Sequence, residues 1–151
     1  MSEKKIALNV GDIVKIDLEN GTFCFGRVLE EPLLAFYDLN VTDDPSLEEI
    51  VSSPILFKVW VMNHAITSGR WPVIGSLPLD EDLQQPVKFF KQDPISKELC
   101  IYINAEEIPA SLAECDGLER AAVWNPEHVE DRLRDHYAGV PNQWVESLKI
   151  K

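Results

Sequence analysis

The chain has 151 residues, 45% of them hydrophobic, with four Trp, six Phe and three Tyr, an apolar content that excludes a disordered polymer. Fourteen Lys and Arg stand against 26 Asp and Glu, a net charge of −12. The acidic excess is spread over both halves and disfavours nucleic acid and anionic membranes as partners, while favouring basic proteins.

Residues 11–18, GDIVKIDL, alternate as a half-buried strand does. Asn20-Gly21 then signals a tight hairpin into a second strand over residues 22–29. Gly26 within that strand marks a bulge or a close backbone approach. Pro32 precedes a third strand over residues 33–39. Residues 43–51 read as a short helix capped by Asp43 or Asp44, with Pro45 at its first position and Glu48 and Glu49 near its positive end. Strands are expected at residues 55–66 and 73–77, joined by the turn Thr67-Ser68-Gly69 and the unusual Arg70-Trp71-Pro72.

Residues 78–82 open an acidic loop or single helical turn. Residues 87–94 form a short aromatic strand, followed by a strand over 99–104. Trp60, Trp71, Phe89 and Phe90 read as core aromatics, although alternation sends Phe89 and Phe90 to opposite faces and leaves one of them available as a surface anchor. Residues 105–119 stay ambiguous between helix and loop. Asn125-Pro126 starts a helix with Val129, Leu133 and Tyr137 on one face, and Gly139 stops it. Residues 141–148 pack Trp144 and Leu148 through a last helical turn or two. The expected class is α+β: mostly antiparallel β, as a twisted sheet or partial barrel, in the N-terminal two-thirds, with short helices at the C-terminus. One domain over residues 1–151 accounts for the length.

No apolar run approaches the roughly 20 residues that span a bilayer. Met1 to Lys5 lack the apolar stretch of a secretion signal, so a cytoplasmic location is expected. Cys24, Cys100 and Cys115 are odd in number and widely spaced. Cys24 and Cys100 read as small core residues in a reducing compartment.

No catalytic or cofactor constellation emerges. His64, His128 and His136 form neither an i, i+4 pair nor HExxH, and read as structural or solvated. GxSxG, GxGxxG and GxxxxGK[ST] are absent. The carboxylate groups 48/49, 80–82 and 106/107 could in principle bind magnesium or share a proton, but neighbouring carboxylates point apart and read as solvated faces. Arg70 beside Trp71 reads as a cation–π or salt-bridge strut. The expectation is a protein without enzymatic activity, cofactor or metal.

Taken in order, GDIVKIDL, NGTFCFGRVL, AFYDL, SLEEI, ILFKVWV, GRWPVIG, PL and FFKQDP resemble the immunity protein 26 family of bacterial polymorphic-toxin systems, over about residues 9–104. Gly26, Arg27, Tyr37, Trp71, Gly75, Phe90 and Asp93 carry the pattern, mostly as scaffold positions. Residues 105–151 carry no further motif. The resemblance implies a non-enzymatic, mostly β protein whose partner is a cognate toxin domain.

The acidity suggests how such a protein acts, since toxins that cut nucleic acid have basic clefts. Candidate contacts are Asp43, Asp44, Glu48 and Glu49; Asp80, Glu81 and Asp82; and Glu127, Glu130, Asp131 and Asp135 on the late helix. The alternatives are a non-enzymatic adaptor, or a small-ligand domain with a pocket near Tyr37, Arg70 and Trp71. The oligomeric state stays open, with a monomer favoured.

Overall fold

The computed structural model describes residues 9–151. In chain order the elements are β1 (Asp12–Asp17), β2 (Phe23–Val28), β3 (Leu33–Tyr37), α1 (Leu47–Val51), β4 (Ile55–Val61), α2 (His64–Thr67) and β5 (Val73–Ser76). A 3-10 turn, Glu81–Gln84, leads to β6 (Phe89–Gln92), β7 (Leu99–Ile103), β8 (Glu106–Pro109), α3 (Leu112–Cys115), β9 (Glu119–Arg120), β10 (Val123–Trp124), α4 (Pro126–Ala138) and α5 (Gln143–Ser147). The class is α+β, with open sheets rather than a closed barrel.

The larger sheet runs β10-β4-β3-β2-β1-β5 and the smaller β8-β7-β6-β9. Pairing is antiparallel except where β10 joins β4 and β9 joins β6. Alternation along β1 gives the larger sheet two apolar faces. One face packs Val14, Ile16, Val28, Phe36, Val59 and Trp71 against Val129 and Leu133 of α4. The other packs Ile13, Phe25 and Tyr37 beneath Ile50 of α1. Each fully buried aliphatic or aromatic side chain contributes roughly 1.5–3 kcal/mol, so burial on both faces makes this sheet the centre of stability.

Several local expectations change. The cap of α1 is Ser46, whose hydroxyl accepts from Glu49 N at 3.2 Å. Pro45 therefore precedes the cap, and Asp44 is instead drawn to Lys15, 2.5 Å away. The strand expected through residue 66 ends at Val61, because a helical turn buries both Ala65 and Ile66. His64 consequently lies on α2.

The first hairpin has a wider loop than a two-residue turn: Asp17 pairs with Phe23, and Glu19 and Gly21 adopt φ of 60° and 86°. Residues 105–119 resolve into β8 and α3, the latter with a reciprocal cap between Ser111 and Glu114. The late helix follows expectation. Asn125 caps it by accepting from Glu127 N at 2.9 Å, Pro126 opens it, and Gly139 ends it at φ 70°. Phe89 and Phe90 are both buried, so neither is a surface anchor. β6 has cover on each side: Trp60 over Phe89 and Arg120 over Phe90.

Candidate partner-binding surface

Most motif positions are structural. Arg27 is 1% exposed and donates Nε to Gly11 O at 2.8 Å, Nη1 to Tyr37 Oη at 3.0 Å, and Nη2 to the carbonyls of Leu77 and Pro78. It thereby fixes the chain leaving β5 to the sheet. Gly26 shows no bulge, and the close approach there is by a side chain rather than by backbone: a Cβ would meet Val14 Cγ2 at 3.1 Å. Gly75 packs under Leu47, whose Cδ1 would lie 2.6 Å from a Cβ there, so a side chain at this position requires the leucine to shift. Asp93 Oδ1 accepts from Ile95 N and Ser96 N, both at 2.8 Å. The Ser96 and Ile95 amides hold its carboxyl below the usual range.

Arg70 is the expected strut. Its Nε and Nη2 grip both oxygens of Glu130 at 2.8 and 2.7 Å, and Trp71 Nε1 donates to the same carboxylate at 2.8 Å. This corrects two expectations. Glu130 is 3% exposed and engaged internally, so it is not part of an exposed contact surface. Tyr37, Arg70 and Trp71 do not share a pocket either, because Tyr37 and Trp71 belong to cores on opposite faces of the sheet.

The other candidate carboxylates fall into three places. Asp43, Asp44 and Glu49 line one shallow depression of about 470 Å³ with Thr22, Asn40 and Pro45. Glu48 is exposed on the first turn of α1. Asp80, Glu81 and Asp82 are exposed at the start of the 3-10 turn, with no ion-pair partner among the described residues. Glu127 is exposed on the first turn of α4.

Asp131 is half-buried and bonded to Arg134 and Trp144 Nε1. Burial opposes its charge, but the Trp144 and Arg134 bonds prevail and hold its carboxyl below the usual range. Asp135 accepts from Asn142 Nδ2 at 2.9 Å. Within this helix, then, only Glu127 offers an uncommitted carboxylate.

One surface feature escaped sequence reasoning. A groove of about 830 Å³ opens between the two sheets, with Trp60, Phe89 and Tyr102 among its lining and Glu30 and Glu31 on one side. Trp60 and Phe89 read as core residues in the sequence; Phe89 is buried, whereas Trp60 of the larger sheet stays half-buried against Phe89 and Tyr102 of the smaller one. Among the described residues, no three His, Cys, Asp or Glu side chains gather to hold a metal ion, and no helix is long and apolar enough to cross a membrane.

Comparison with family models matches residues 9–101, more than half of the chain, to the family described as Immunity protein 26. The chain belongs to that family. Neither the curated proteins nor the solved structures contain a match to it.

Proposed function

We propose that this member of the immunity protein 26 family binds a cognate bacterial toxin in the cytosol and neutralises it by covering a basic, nucleic-acid-cutting cleft. The observation that carries this reading is the state of the exposed carboxylates. Asp43, Glu48, Glu49, Asp80, Glu81, Asp82 and Glu127 pair with no cation among the described residues. In a chain of net charge −12 they create a field that accelerates encounter with a basic partner and can occupy positions that phosphates would take. Asp44 and Asp131 serve as secondary contacts, since each must share its charge with an internal partner.

The mechanism is steric and electrostatic, with no bond made or broken. Exposed charge pairs contribute at most about 1 kcal/mol each, so the acidic positions act mainly on association rate and orientation. Tight binding also requires a desolvated anchor.

The test is co-expression with the toxin domain from the adjacent reading frame, followed by affinity measurements across salt. Protection is expected, with 1:1 association that weakens as salt rises. Charge reversal of Asp80, Glu81 and Asp82, or separately of Glu48 and Glu49, should slow association and flatten the salt dependence. Unchanged rates and salt slope in both variants would remove these carboxylates from the mechanism.

A further inference from the structure

The groove between the sheets has the chemistry of a cation-binding anchor. Trp60 projects from β4 on the face opposite the α4-covered core, because Val59 and Val61 on either side of it point into that core. Its ring centroid lies 4.6 Å from Phe89 and 5.5 Å from Tyr102, the latter edge-on at 87°. Phe89 is buried, whereas Trp60 and Tyr102 are half-buried. Neither the indole N–H of Trp60 nor the hydroxyl of Tyr102 is hydrogen-bonded to a described residue.

Carboxylates stand beside this aromatic floor. Glu30 and Glu31 occupy the exposed turn that leads into β3, which pairs with β4 through Leu33 and Trp60. Glu30 has no ion-pair partner among the described residues, and Glu31 accepts only a neutral bond from Asn63 Nδ2. Leu83, Gln84 and Gln85, directly after Glu81 and Asp82, also line the groove. The same aromatic cluster already holds one cation. Lys91 Nζ sits 4.3 Å from the Tyr102 centroid and 2.8 Å from Glu107 Oε1. Aromatic face, ammonium and carboxylate are thus combined at Tyr102, with Lys91 and Glu107 themselves outside the groove's lining.

We infer that this groove receives an arginine or lysine side chain of the toxin, stacked on Trp60 with its charged head toward Glu30 and Glu31. The inference rests on the toxin-binding reading and supplies the anchor that reading requires. An aromatic face attracts a cation most strongly when both are shielded from water. Arginine and tryptophan are over-represented among residues that dominate interface energies.

The test has two arms. First, an acetylated, amidated tri-arginine peptide is titrated into the full chain while the indole N–H resonances are followed. A tri-norleucine peptide serves as the uncharged control. The Trp60 resonance should shift saturably with tri-arginine, Trp144 should stay still, and Glu30→Gln with Glu31→Gln should raise the Kd at least fivefold. An unmoved Trp60, an equal response to tri-norleucine, or unchanged affinity in the double variant each overturns the inference. Second, Glu30→Lys with Glu31→Lys, exposed positions that should fold normally, is assayed against the toxin. At least a tenfold loss of toxin affinity is expected. If that variant binds and protects like the parent, the groove falls while toxin neutralisation stands. If the parent gives no protection, the toxin reading fails and the anchor inference, which rests on it, falls with it.

Discussion

Trp71 and Glu130 meet across the fold, the indole Nε1 donating to Oε2 at 2.8 Å from a site with no exposure. Arg70 closes the arrangement from outside with two further bonds. The carboxylate thus bridges the α2–β5 connection to α4, with Trp71 packed edge-on against Phe36 at 5.7 Å. Glu130→Ala leaves the indole N–H without its partner and removes the helix-to-sheet tie. We expect a loss of about 2–4 kcal/mol in urea unfolding, with the m-value unchanged. Glu130→Gln should cost less, since the amide oxygen can still accept from Trp71. Equal losses for both would assign the effect to charge alone.

Arg27 tests a different physics. Its guanidinium is buried, pairs with no carboxylate among the described residues, and satisfies three backbone carbonyls and the Tyr37 hydroxyl. Lysine carries the same charge but cannot reach four acceptors in one plane. Arg27→Lys is therefore expected to destabilise by about 3–5 kcal/mol, leaving buried acceptors unpaired. The loss should be largest for the segment after β5, seen as faster amide exchange at Leu77, whose N–H bonds Gly11 O at 3.2 Å. Near-parental stability would show that water replaces the missing donors.

The parts of this fold legible in the sequence are those set by local chemistry. Asn125, Pro126 and Gly139 mark the two ends of α4 because capping and left-handed backbone depend on the residues at those positions. Alternation marked β1, and the Asn20-Gly21 turn signal marked β2 after it, for the same reason. What stayed hidden depends on distant partners. β9 and β10 span two residues each, too short for any period, and exist only because β6 and β4 offer edges. Glu130 looked like one more acid on a charged helix, since nothing within its own turn reveals Arg70 and Trp71 sixty positions upstream. The groove at Trp60 is likewise a property of two sheets and of no single segment.

Alkaline pH should weaken the fold through Cys24. Burial pushes its thiol up from 9.0 to about 12, opposed by the Asn40 bond and reinforced by Asp38. Burial and the 2.8 Å bond to Asp38 also raise the Tyr137 hydroxyl. Both folded-state values lie above the unfolded ones, so their contributions are complete below about pH 9 and decline as pH rises towards the folded values. Cys24 alone gives a slope of up to about 1.4 kcal/mol per pH unit. Urea unfolding at pH 8 to 11 should show this decline, and Cys24→Ala should make it shallower. A parallel decline in the variant would exclude Cys24 as its source.

The net charge of −12 has a cost in the unbound protein, because like charges repel in the compact state more than in the expanded one. Asp80, Glu81 and Asp82 are exposed and have no ion-pair partner among the described residues, so their charge is expected to add to this repulsion. Two consequences follow for the protein alone. Its Tm should rise between 10 mM and 150 mM sodium chloride, where the screening length shortens from about 30 to 8 Å. The triple variant Asp80→Asn, Glu81→Gln, Asp82→Asn should keep or raise the Tm at low salt while showing a smaller gain on salt addition. A protein that loses stability with salt, and loses more when these acids are neutralised, would mean that they make stabilising contacts. They would then be scaffold groups, unavailable to a basic partner.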